Sequence, residues 1–487
     1  MGAPPPQSRG GLSVPAAACD WNRARPRLYE ASKGLFMSDA EGDRFGARAA
    51  RYARVGASLG GVAARAAGAR LAGRGVGDVA NAAALTAALG GLKGPLMKVA
   101  QFMATIPEAL PEEWAEKLQT LQSNAPPMGA AFVTRRMQAE LGPDWRTKFA
   151  SFESHPAHAA SLGQVHRATA HDGARLACKL QYPDMKSAVE ADLKQLDVLF
   201  ALRRRMDGAV DTREMAQEIG DRVREELDYA REARHAALYR DILGEGDVRV
   251  PAVREELSTS RLLTLEWLDG EPLLTFVDAG QEARNAIAQA MFRAWWHPFV
   301  RLGIIHGDPH LGNYTVFRDA GGAPAGINLL DYGCIRIFPP AFVQGVIDLY
   351  RGLRDGDEDL VARAYEVWGF RNLRRDLVDV LNIWARFIYG PLLDDRVRPI
   401  AEGVSPGQYG REQAMRVHRG LKEKGPVTIP REFVFMDRAA IGLGGAFLRL
   451  DARLNFCAMF NEALGEEFDV KLMAERQQAA LARAGLR

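Results

Sequence analysis

Two short motifs in this sequence carry side chains that together could perform phosphoryl transfer. In residues 306–313, Asp308 and Asn313 lie five positions apart, and the surrounding glycines and proline predict a tight loop. Asp331 follows the apolar run Ile327–Leu330, which predicts a short buried strand. Phosphoryl transfer uses one Asp to orient or accept a proton, and an Asn and a second Asp to hold Mg²⁺ on the nucleotide phosphates. Either motif alone fits an ordinary turn, but the two in this order predict a nucleotide site.

The overall composition is that of a globular protein with more than one lobe. The chain has 487 residues, of which 47% are hydrophobic and 25% charged, and this length is too great for one compact core. Its four cysteines are scattered and form no CxxC pair, which indicates a reducing compartment. Its nine histidines form no zinc-binding pattern. No run of about 18 uncharged apolar residues is present, so no transmembrane span is expected.

The N-terminal residues differ from the rest in charge. Residues 1–43 lack periodicity and are predicted to be disordered, to be an organelle transit segment, or in part to precede a true start at Met37. Residues 44–128 are predicted to form a helical extension. The arginines between Arg44 and Arg74 either contact an anionic lipid surface or form a solvated helix face. Nucleic acid is not an expected partner, because aromatic residues are not interleaved with the basic ones.

Near the end of this extension, Lys98 and Gln101 lie three residues apart amid apolar neighbours. On a helix they would share a face. A lysine in this setting either extends its ammonium group to solvent or takes part in a site.

Residues 129–270 are predicted to form a β-rich lobe. Strands are predicted at Phe149–Phe152, Gly163–Ala170 and Arg175–Gln181, and residues 171–173 supply a hairpin turn between the last two. This arrangement predicts a small antiparallel sheet in the first half of the chain.

The turn before the second of these strands contains Ala159, Ala160 and Ser161, in the place of a phosphate-covering glycine-rich loop. Alanine restricts φ and adds a methyl group, so this loop is expected to be stiffer and to crowd the phosphates. Lys179 lies on the third strand between apolar residues and is the candidate phosphate-binding lysine. A lone lysine on a strand is otherwise commonly a surface residue.

A buried lysine in such a site needs a helix carboxylate as its partner, and the densest acidic cluster nearby is residues 225–232. On an ideal helix Glu225, Asp228 and Glu232 share a face. The alternative is a solvated acidic stripe.

Two further strands, Val248–Val253 and Leu262–Trp267, are predicted before a hinge at residues 269–272. In kinase-like folds the segment that links the lobes offers backbone groups to adenine, so Glu266 is a candidate ATP contact. Residues 271–487 are predicted to form a helical lobe.

In this order of motifs the chain resembles the UbiB/AarF family of atypical protein-kinase-like proteins, over roughly residues 40–465. The matching stretches are Leu96–Gln101, Ala159–His166, Ala177–Pro183, Glu226–Glu232, Leu263–Gly270, His306–Asn313 and Asp331–Gly333. The first two are quite specific to that family, whereas the last two are common to kinase-like folds. The expected fold class is therefore α+β, a two-lobed kinase-like fold with an N-terminal helical extension.

The resemblance implies roles for the residues at matching positions. Lys98 and Gln101 would lie over the nucleotide pocket, where a kinase would bind its protein substrate. The side chains that face this pair would be Glu226 and Asp228. Because the pocket is covered in this way, protein kinase activity is not expected.

Within the pocket, the resemblance implies that Lys179 pairs with Glu232. Asn313 and Asp331 would bind Mg²⁺, and Asp308 would take the place of the general base. The family is tied to ubiquinone biosynthesis through ATP binding and hydrolysis, with peripheral membrane association. The expected partners are therefore nucleotide, an anionic lipid surface, and quinone-biosynthesis proteins or lipids, and the expected location is cytoplasmic, peripheral at the inner membrane.

Four positions depart from the family pattern: Ala100, His158, Leu311 and Tyr332. None removes a charged or metal-binding group, so nucleotide binding is expected to survive. One conflict concerns the acidic cluster, because the family match selects Glu226 whereas ideal helical geometry groups Glu225 with the other acids. A helix that begins only after Tyr229 would remove this conflict.

Two other functions remain open. One is a small-molecule kinase of the aminoglycoside or choline type, whose loop also reads His-Gly-Asp with an Asn five residues after the Asp. The segment around Lys98 and the alanine-rich loop argue against it. The other is a non-enzymatic nucleotide-binding scaffold, which the intact Asp308 disfavours.

Overall fold

The computed structural model describes residues 128–160, 162–190, 193, 220–221, 223–370, 373–404, 410–425, 427, 430–465 and 468–486. The expectations for residues 1–43 and for 44–127, including Lys98 and Gln101, lie outside the described residues, as does Ser161. Within the described part, no helix is long and apolar enough to cross a bilayer.

The strands of the described residues are β1 Ser151–Phe152, β2 His158–Ala159, β3 Gly163–Thr169, β4 Arg175–Gln181, β5 Val248–Arg249, β6 Leu262–Glu266, β7 Glu271–Pro272, β8 Ile304–His306, β9 Tyr314–Arg318, β10 Pro324–Leu329 and β11 Ile335–Ile337. The α-helices are α1 Ala130–Leu141, α2 Tyr229–Leu243, α3 Gln281–Leu302, α4 Pro340–Asp355, α5 Glu358–Val367, α6 Arg375–Tyr389, α7 Arg411–Lys424, α8 Arg431–Arg449, α9 Phe456–Leu464 and α10 Val470–Arg483.

The first sheet is antiparallel, with the order β1-β3-β4-β6 and β2 added on β3. On β4, Leu176, Cys178 and Leu180 are buried in a cluster with side chains of α1. Because successive strand residues point to opposite faces, Lys179 lies on the other face of the sheet. There it is paired in register with Leu263 of β6, which packs against Tyr229 at the start of α2. The sheet therefore presents Lys179 toward α2.

A second sheet has the order β5-β10-β9-β7. Strand β9 begins directly after Asn313, and β10 ends two residues before Asp331. The two strands are antiparallel, with Leu329 opposite Tyr314, and the backbone N–H of Leu330 donates to the carbonyl of Asn313 at 3.0 Å. This register places the two candidate metal ligands at the same end of the sheet.

The C-terminal half is helical around an aromatic core. Helix α3 is buried along much of its length, and Trp295, Trp296 and Phe299 stack on one another with centroid distances of 5.2–6.1 Å. Trp296 also contacts Phe460 of α9, with ring centroids 4.6 Å apart. The helix ends at Gly303, and the chain continues directly into β8 and the loop that carries Asp308. The apolar core therefore fixes the start of that loop.

The α+β, two-lobed expectation is confirmed by this architecture. Strands β3 and β4 also agree closely with their predicted spans, but the strand expected at Phe149–Phe152 is reduced to its last two residues, after a 3₁₀ turn. The strand expected at Val248–Val253 is reduced to β5, which pairs in parallel with β10 in the second sheet. The lobe limits 129–270 and 271–487 stay predictions.

Candidate active site

Lys179 is the centre of the charged cluster in this site. Its ammonium nitrogen donates to Glu232 Oε1 at 2.6 Å and to Asp331 Oδ2 at 3.2 Å. The lysine side chain is 16% exposed, that of Glu232 only 3% and that of Asp331 35%. Two carboxylates from different elements therefore meet one largely buried ammonium group.

The electrostatics of this cluster favour the charged lysine. Burial lowers the pKa of Lys179, but the nearby charges of Asp331 and Glu232 outweigh that effect and hold it well above its ordinary value. Burial also raises the pKa of Glu232, which the Lys179 ammonium opposes. The Tyr332 backbone N–H helps to hold this carboxylate, donating to it at 3.4 Å. Lys179 is thus a permanent cation at physiological pH, as a phosphate ligand must be.

The position of Glu232 follows from where α2 begins. Asp228 caps the helix, accepting a hydrogen bond from the Arg231 backbone N–H at 3.0 Å. A capping Asp leaves the residues before it outside the helix. Glu232 consequently lies in the first turn, where a negative side chain is favoured by the helix dipole. Asp228 was expected to face Lys98 and Gln101, and its role as a helix cap was not predicted from the sequence.

The same break in the helix separates Glu225 from Glu226. Glu225 pairs with Arg231 at 2.7 Å and with Arg336 of β11 at 3.4 Å. Glu226 is buried, and it lies with Glu232 beside Gly333 of the Asp-Tyr-Gly turn. The helix begins at Tyr229, so the two adjacent glutamates point into different environments and the conflict raised by ideal helical geometry disappears.

The loop that carries Asp308 is held by hydrogen bonds to the segment that contains Asp331 and Cys334. Asn313 Nδ2 donates to the Asp308 backbone carbonyl at 3.1 Å and to its carboxylate at 3.3 Å. His306 Nε2 lies 2.5 Å from the backbone carbonyl of Asp331. The Gly307 N–H donates to the carbonyl of Cys334 at 2.7 Å. These contacts bring the two motifs found in the sequence into one site.

The donor set around Asp331 and Asn313 fits Mg²⁺. Because the amide nitrogen of Asn313 is hydrogen-bonded to Asp308, the amide oxygen of Asn313 is the atom that can bind a cation. Mg²⁺ prefers oxygen ligands and commonly takes only one or two from the protein, the rest coming from phosphates and water. The described residues contain no group of three or more His, Cys, Asp or Glu side chains that could hold a metal by themselves.

The alanine-rich segment forms the tip of the β2–β3 hairpin. The Ala160 backbone N–H donates to the Gly163 carbonyl at 2.9 Å, which closes a tight turn after Ala159. Gly163 is needed at the end of this turn, because a Cβ there would overlap the Leu180 carbonyl oxygen. His158, which departs from the family pattern, pairs regularly with Val165 on β3. That departure therefore leaves the hairpin intact.

Glu266 lies at the end of β6, just before the hinge. Its backbone N–H donates to the Ala252 carbonyl at 2.8 Å, and its carboxylate accepts from the Ala252 N–H at 3.2 Å. The hinge itself is anchored by Asn328 of β10, whose side-chain amide donates to the Asp269 carbonyl at 2.9 Å. Contact between Glu266 and adenine stays a prediction.

Sequence reasoning gave no role to Tyr229, which lies between the hairpin and the lysine. Lys179 Nζ is 5.2 Å from the centroid of its ring, a cation–π distance. Its hydroxyl is buried and has no hydrogen-bond partner among the described residues. A Cβ added at Gly163 would lie 3.0 Å from this oxygen. No spacing pattern in the sequence predicts a role for Tyr229. Its position directly after the helix-capping Asp228 is the one local signal that could have identified it.

The structure thus gathers Lys179, Glu226, Glu232 and Asp331 at one point, with Asp308 and Asn313 on the adjoining loop. The sequence of this chain is similar to those of known proteins. Residues 120–365 match the ABC1 atypical kinase-like domain.

Two curated relatives carry related names. The atypical kinase COQ8B, mitochondrial, of Rattus norvegicus is 30% identical over 284 residues, covering 58% of this chain and 53% of that protein. The atypical kinase COQ8, mitochondrial, of Saccharomyces cerevisiae is 30% identical over 268 residues, covering 54% of this chain and 53% of the relative. The chain therefore spans about half the length of these relatives.

A solved structure has the same fold. It is the complex of Rv3197 with erythromycin from Mycobacterium tuberculosis, with a TM-score of 0.53 and 26% identity, and it covers 78% of this chain and 95% of that one. The family profile matches half of the sequence, and the matched range contains Lys179, Glu226, Glu232, Asp308, Asn313 and Asp331, whereas Lys98 and Gln101 precede it. This chain belongs to the ABC1, or UbiB/AarF, family of atypical kinase-like proteins.

Proposed function

We propose that this protein binds ATP with Mg²⁺ and hydrolyses it, and that it supports ubiquinone biosynthesis at a membrane surface. The observation that carries the proposal is the joint contact of Lys179 with Glu232 and Asp331. A kinase-like site needs its lysine held by a helix carboxylate and lying beside the metal-binding Asp. Chance would rarely bring these three side chains together from separate parts of the chain.

The ion pairs also suggest how nucleotide enters the site. Asp331 is the more exposed of the two partners of Lys179 and makes the longer of the two contacts. A nucleotide phosphate can replace Asp331 beside the ammonium group, while Glu232 keeps the lysine in position. Asp331 and Asn313 would then be the residues that hold the cation. Bound Mg²⁺ would supply positive charge that stabilises the phosphates in the transition state.

Asp308 is the group that orients the attacking oxygen. Its carboxylate is held by the Asn313 amide, so its position is coupled to that of the candidate metal ligand. A positioned carboxylate accepts a hydrogen bond from water or from a hydroxyl acceptor and directs its oxygen toward phosphorus. Water is the acceptor in the proposed reaction, since Lys98 and Gln101 are proposed to cover the pocket against a protein substrate.

The membrane and ubiquinone parts of the proposal rest on different support. The curated relatives include COQ8 atypical kinases described as mitochondrial. The basic cluster between Arg44 and Arg74 is proposed to contact anionic lipid at the cytoplasmic face of the inner membrane. Binding to anionic liposomes is expected to fall when these arginines are replaced by glutamine. Unchanged binding would assign the contact to another surface.

The test of the proposed function is ATP turnover by the purified protein with Mg²⁺, with and without anionic liposomes and a quinone-like phenol. The matched control is Asp331→Asn, which keeps the size of the side chain and removes its charge. Turnover that rises with lipid and vanishes in this variant is the expected result. Equal turnover in the variant would overturn the assignment of Asp331.

Other results would select one of the remaining functions. Tight Mg²⁺-dependent nucleotide binding without turnover under every condition would indicate a scaffold. A phosphorylated small-molecule product would indicate a small-molecule kinase. Because the Rv3197 structure contains erythromycin, a macrolide should be included among the molecules tested. Absence of nucleotide binding would overturn all three.

A further inference from the structure

Helix α8 has a glycine where it meets the loop that carries Asp308. A Cβ added at Gly442 would overlap Cγ of Pro309 and lie 3.0 Å from its Cβ and 3.4 Å from its Cδ. Pro309 directly follows Asp308 in the chain. The backbone of the helix is therefore packed against the proline ring with no room for any side chain.

The helix and the loop differ in how freely they can move. Ala439, Leu443 and Ala446 of α8 are buried in the main core, so the helix cannot withdraw without opening that core. Residues 307–310, in contrast, lie in neither a helix nor a strand. A side chain added at Gly442 would consequently displace the loop rather than the helix.

We propose that Gly442 is a positioning residue. By its contact with Pro309 it fixes the position of Asp308 and Asn313 relative to the Lys179–Asp331 ion pair. Glycine within a helix is less favourable than alanine, so its presence here needs a packing reason, and the proline contact supplies one. The proposal rests on the proposed function, because it assigns Gly442 through the role of Asp308. It adds a connection between the C-terminal helices and the site, made through the contact of Gly442 with Pro309.

Gly442→Ala is expected to lower kcat by about 10- to 100-fold, the usual result of a misplacement of about 1 Å. Because Asn313 is bonded to Asp308, the Mg²⁺ concentration needed for half-maximal turnover should rise as well. Affinity for nucleotide without Mg²⁺ should not change, since Lys179 and the hinge are not displaced. A general loss of folding would not produce this pattern.

A second substitution tests the contact itself. Pro309→Ala removes Cγ and Cδ, which are among the atoms that the methyl group introduced by Gly442→Ala would strike or crowd. The variant with both substitutions should therefore regain kcat to within about threefold of Pro309→Ala alone, since substitutions that share a contact are not additive. If the two losses simply multiply, the contact does not position the loop.

Gly420→Ala on α7 is the matched control. A Cβ there would lie 2.8 Å from Cγ2 and 2.9 Å from Cγ1 of Val380, a milder overlap that involves a side chain of α6 and not the Asp308 loop. It should lower the Tm and leave kcat and the Mg²⁺ requirement unchanged.

The outcomes separate this inference from the proposed function. Normal kcat in Gly442→Ala, when Asp331→Asn is inactive, would overturn the inference alone. If the wild-type protein binds nucleotide but has no turnover, the proposed function fails. Mg²⁺-dependent nucleotide affinity then decides the inference, because it should fall in Gly442→Ala, and an unchanged value would overturn it. Absence of nucleotide binding by the wild-type protein would overturn both.

Discussion

Lys179 and Asp331 lie 152 residues apart in the chain, and their side chains form an ion pair of 3.2 Å. One comes from the middle of a strand in the first sheet, the other from just beyond a strand in the second sheet. The pair therefore joins the two sheets at the point where nucleotide is proposed to bind. Glu232, at 2.6 Å from the same ammonium group, holds the lysine when that pair opens.

Lys179→Met should abolish turnover and also destabilise the fold. Glu232 would remain buried beside Asp331 without its cation, and loss of one partner of a buried pair costs about 3 kcal/mol of unfolding free energy. Turnover should fall at least about 100-fold, since the phosphates lose a fixed positive charge. Urea denaturation and an ATPase assay measure the two effects.

The variant with both Lys179→Met and Glu232→Gln separates the effect on stability from the effect on turnover. It contains no unpaired buried carboxylate at position 232, so most of the lost stability should return, while turnover should not. Full activity in either variant would remove Lys179 from the site. If Lys179→Met and the double variant were equally stable, the Glu232 carboxyl group would be protonated in the absence of Lys179.

Ala160→Gly should increase nucleotide affinity by about two- to fivefold, roughly the effect of removing one crowding methyl group. The Ala160 methyl group lies at the tight turn of the β2–β3 hairpin, where it is proposed to crowd the phosphates. Titration with a fluorescent nucleotide measures the effect. Ala157→Gly, before the strand, is the control and should have no effect. Equal affinity in Ala160→Gly and wild type would show that this turn does not cover the phosphates.

The sequence was sufficient for the strand that carries Lys179 and for the order of the motifs. Residues 175–181 form a strand as predicted, and a turn at residues 171–173 does join this strand to the one before it. The loop of Asp308 was predictable because glycine and proline restrict the backbone in ways that are local to the sequence. Signals of this kind require no knowledge of distant contacts.

Other features depend on contacts that no local pattern contains. Strand β5 has only two residues, so its pairing with β10 is decided by the second sheet rather than by its own sequence. The separation of Glu225 from Glu226 depends on the capping of α2 by Asp228, which ideal helical spacing conceals. The contact of Gly442 with Pro309 joins residues far apart in the chain, and an isolated glycine gives no sign of its partner.

Glu225→Gln and Glu226→Gln should have different effects although the residues are adjacent. Glu225 is engaged with two arginines, so its substitution should lower the free energy of unfolding by about 1 kcal/mol and leave turnover unchanged. Glu226 lies beside the Asp-Tyr-Gly turn and is the proposed partner of Lys98, so its substitution should alter turnover.

The pairing with Lys98 can be tested by a double-mutant cycle. Lys98→Ala combined with Glu226→Gln should have the same turnover as Lys98→Ala alone, because the second substitution removes a partner that is already lost. Lys98→Ala combined with Glu225→Gln is the control and should show independent effects. Additivity in the first pair would exclude the proposed contact.

Asp437 should make the stability of the helical region depend on pH. Burial raises the pKa of this α8 carboxyl to about 7, and the hydrogen bond donated by the Trp384 indole N–H opposes the rise only in part. The unfolded chain ionises the group near pH 3.8, its ordinary value. Between these values the folded state keeps a proton that the unfolded state has lost, so the free energy of unfolding falls as the pH rises.

Asp437→Asn is neutral at every pH, and its amide oxygen can still accept from Trp384. Unfolding in urea at pH 5 and pH 8 should show that the wild-type protein loses roughly 2 kcal/mol more free energy of unfolding than the variant over this range, a value reduced from the full shift because Asp437 as a whole residue is only half-buried. Trp384→Phe, which removes the opposing hydrogen bond, should steepen the dependence. Parallel pH profiles for wild type and Asp437→Asn would mean that the carboxylate is solvated in the folded protein and does not carry a raised pKa.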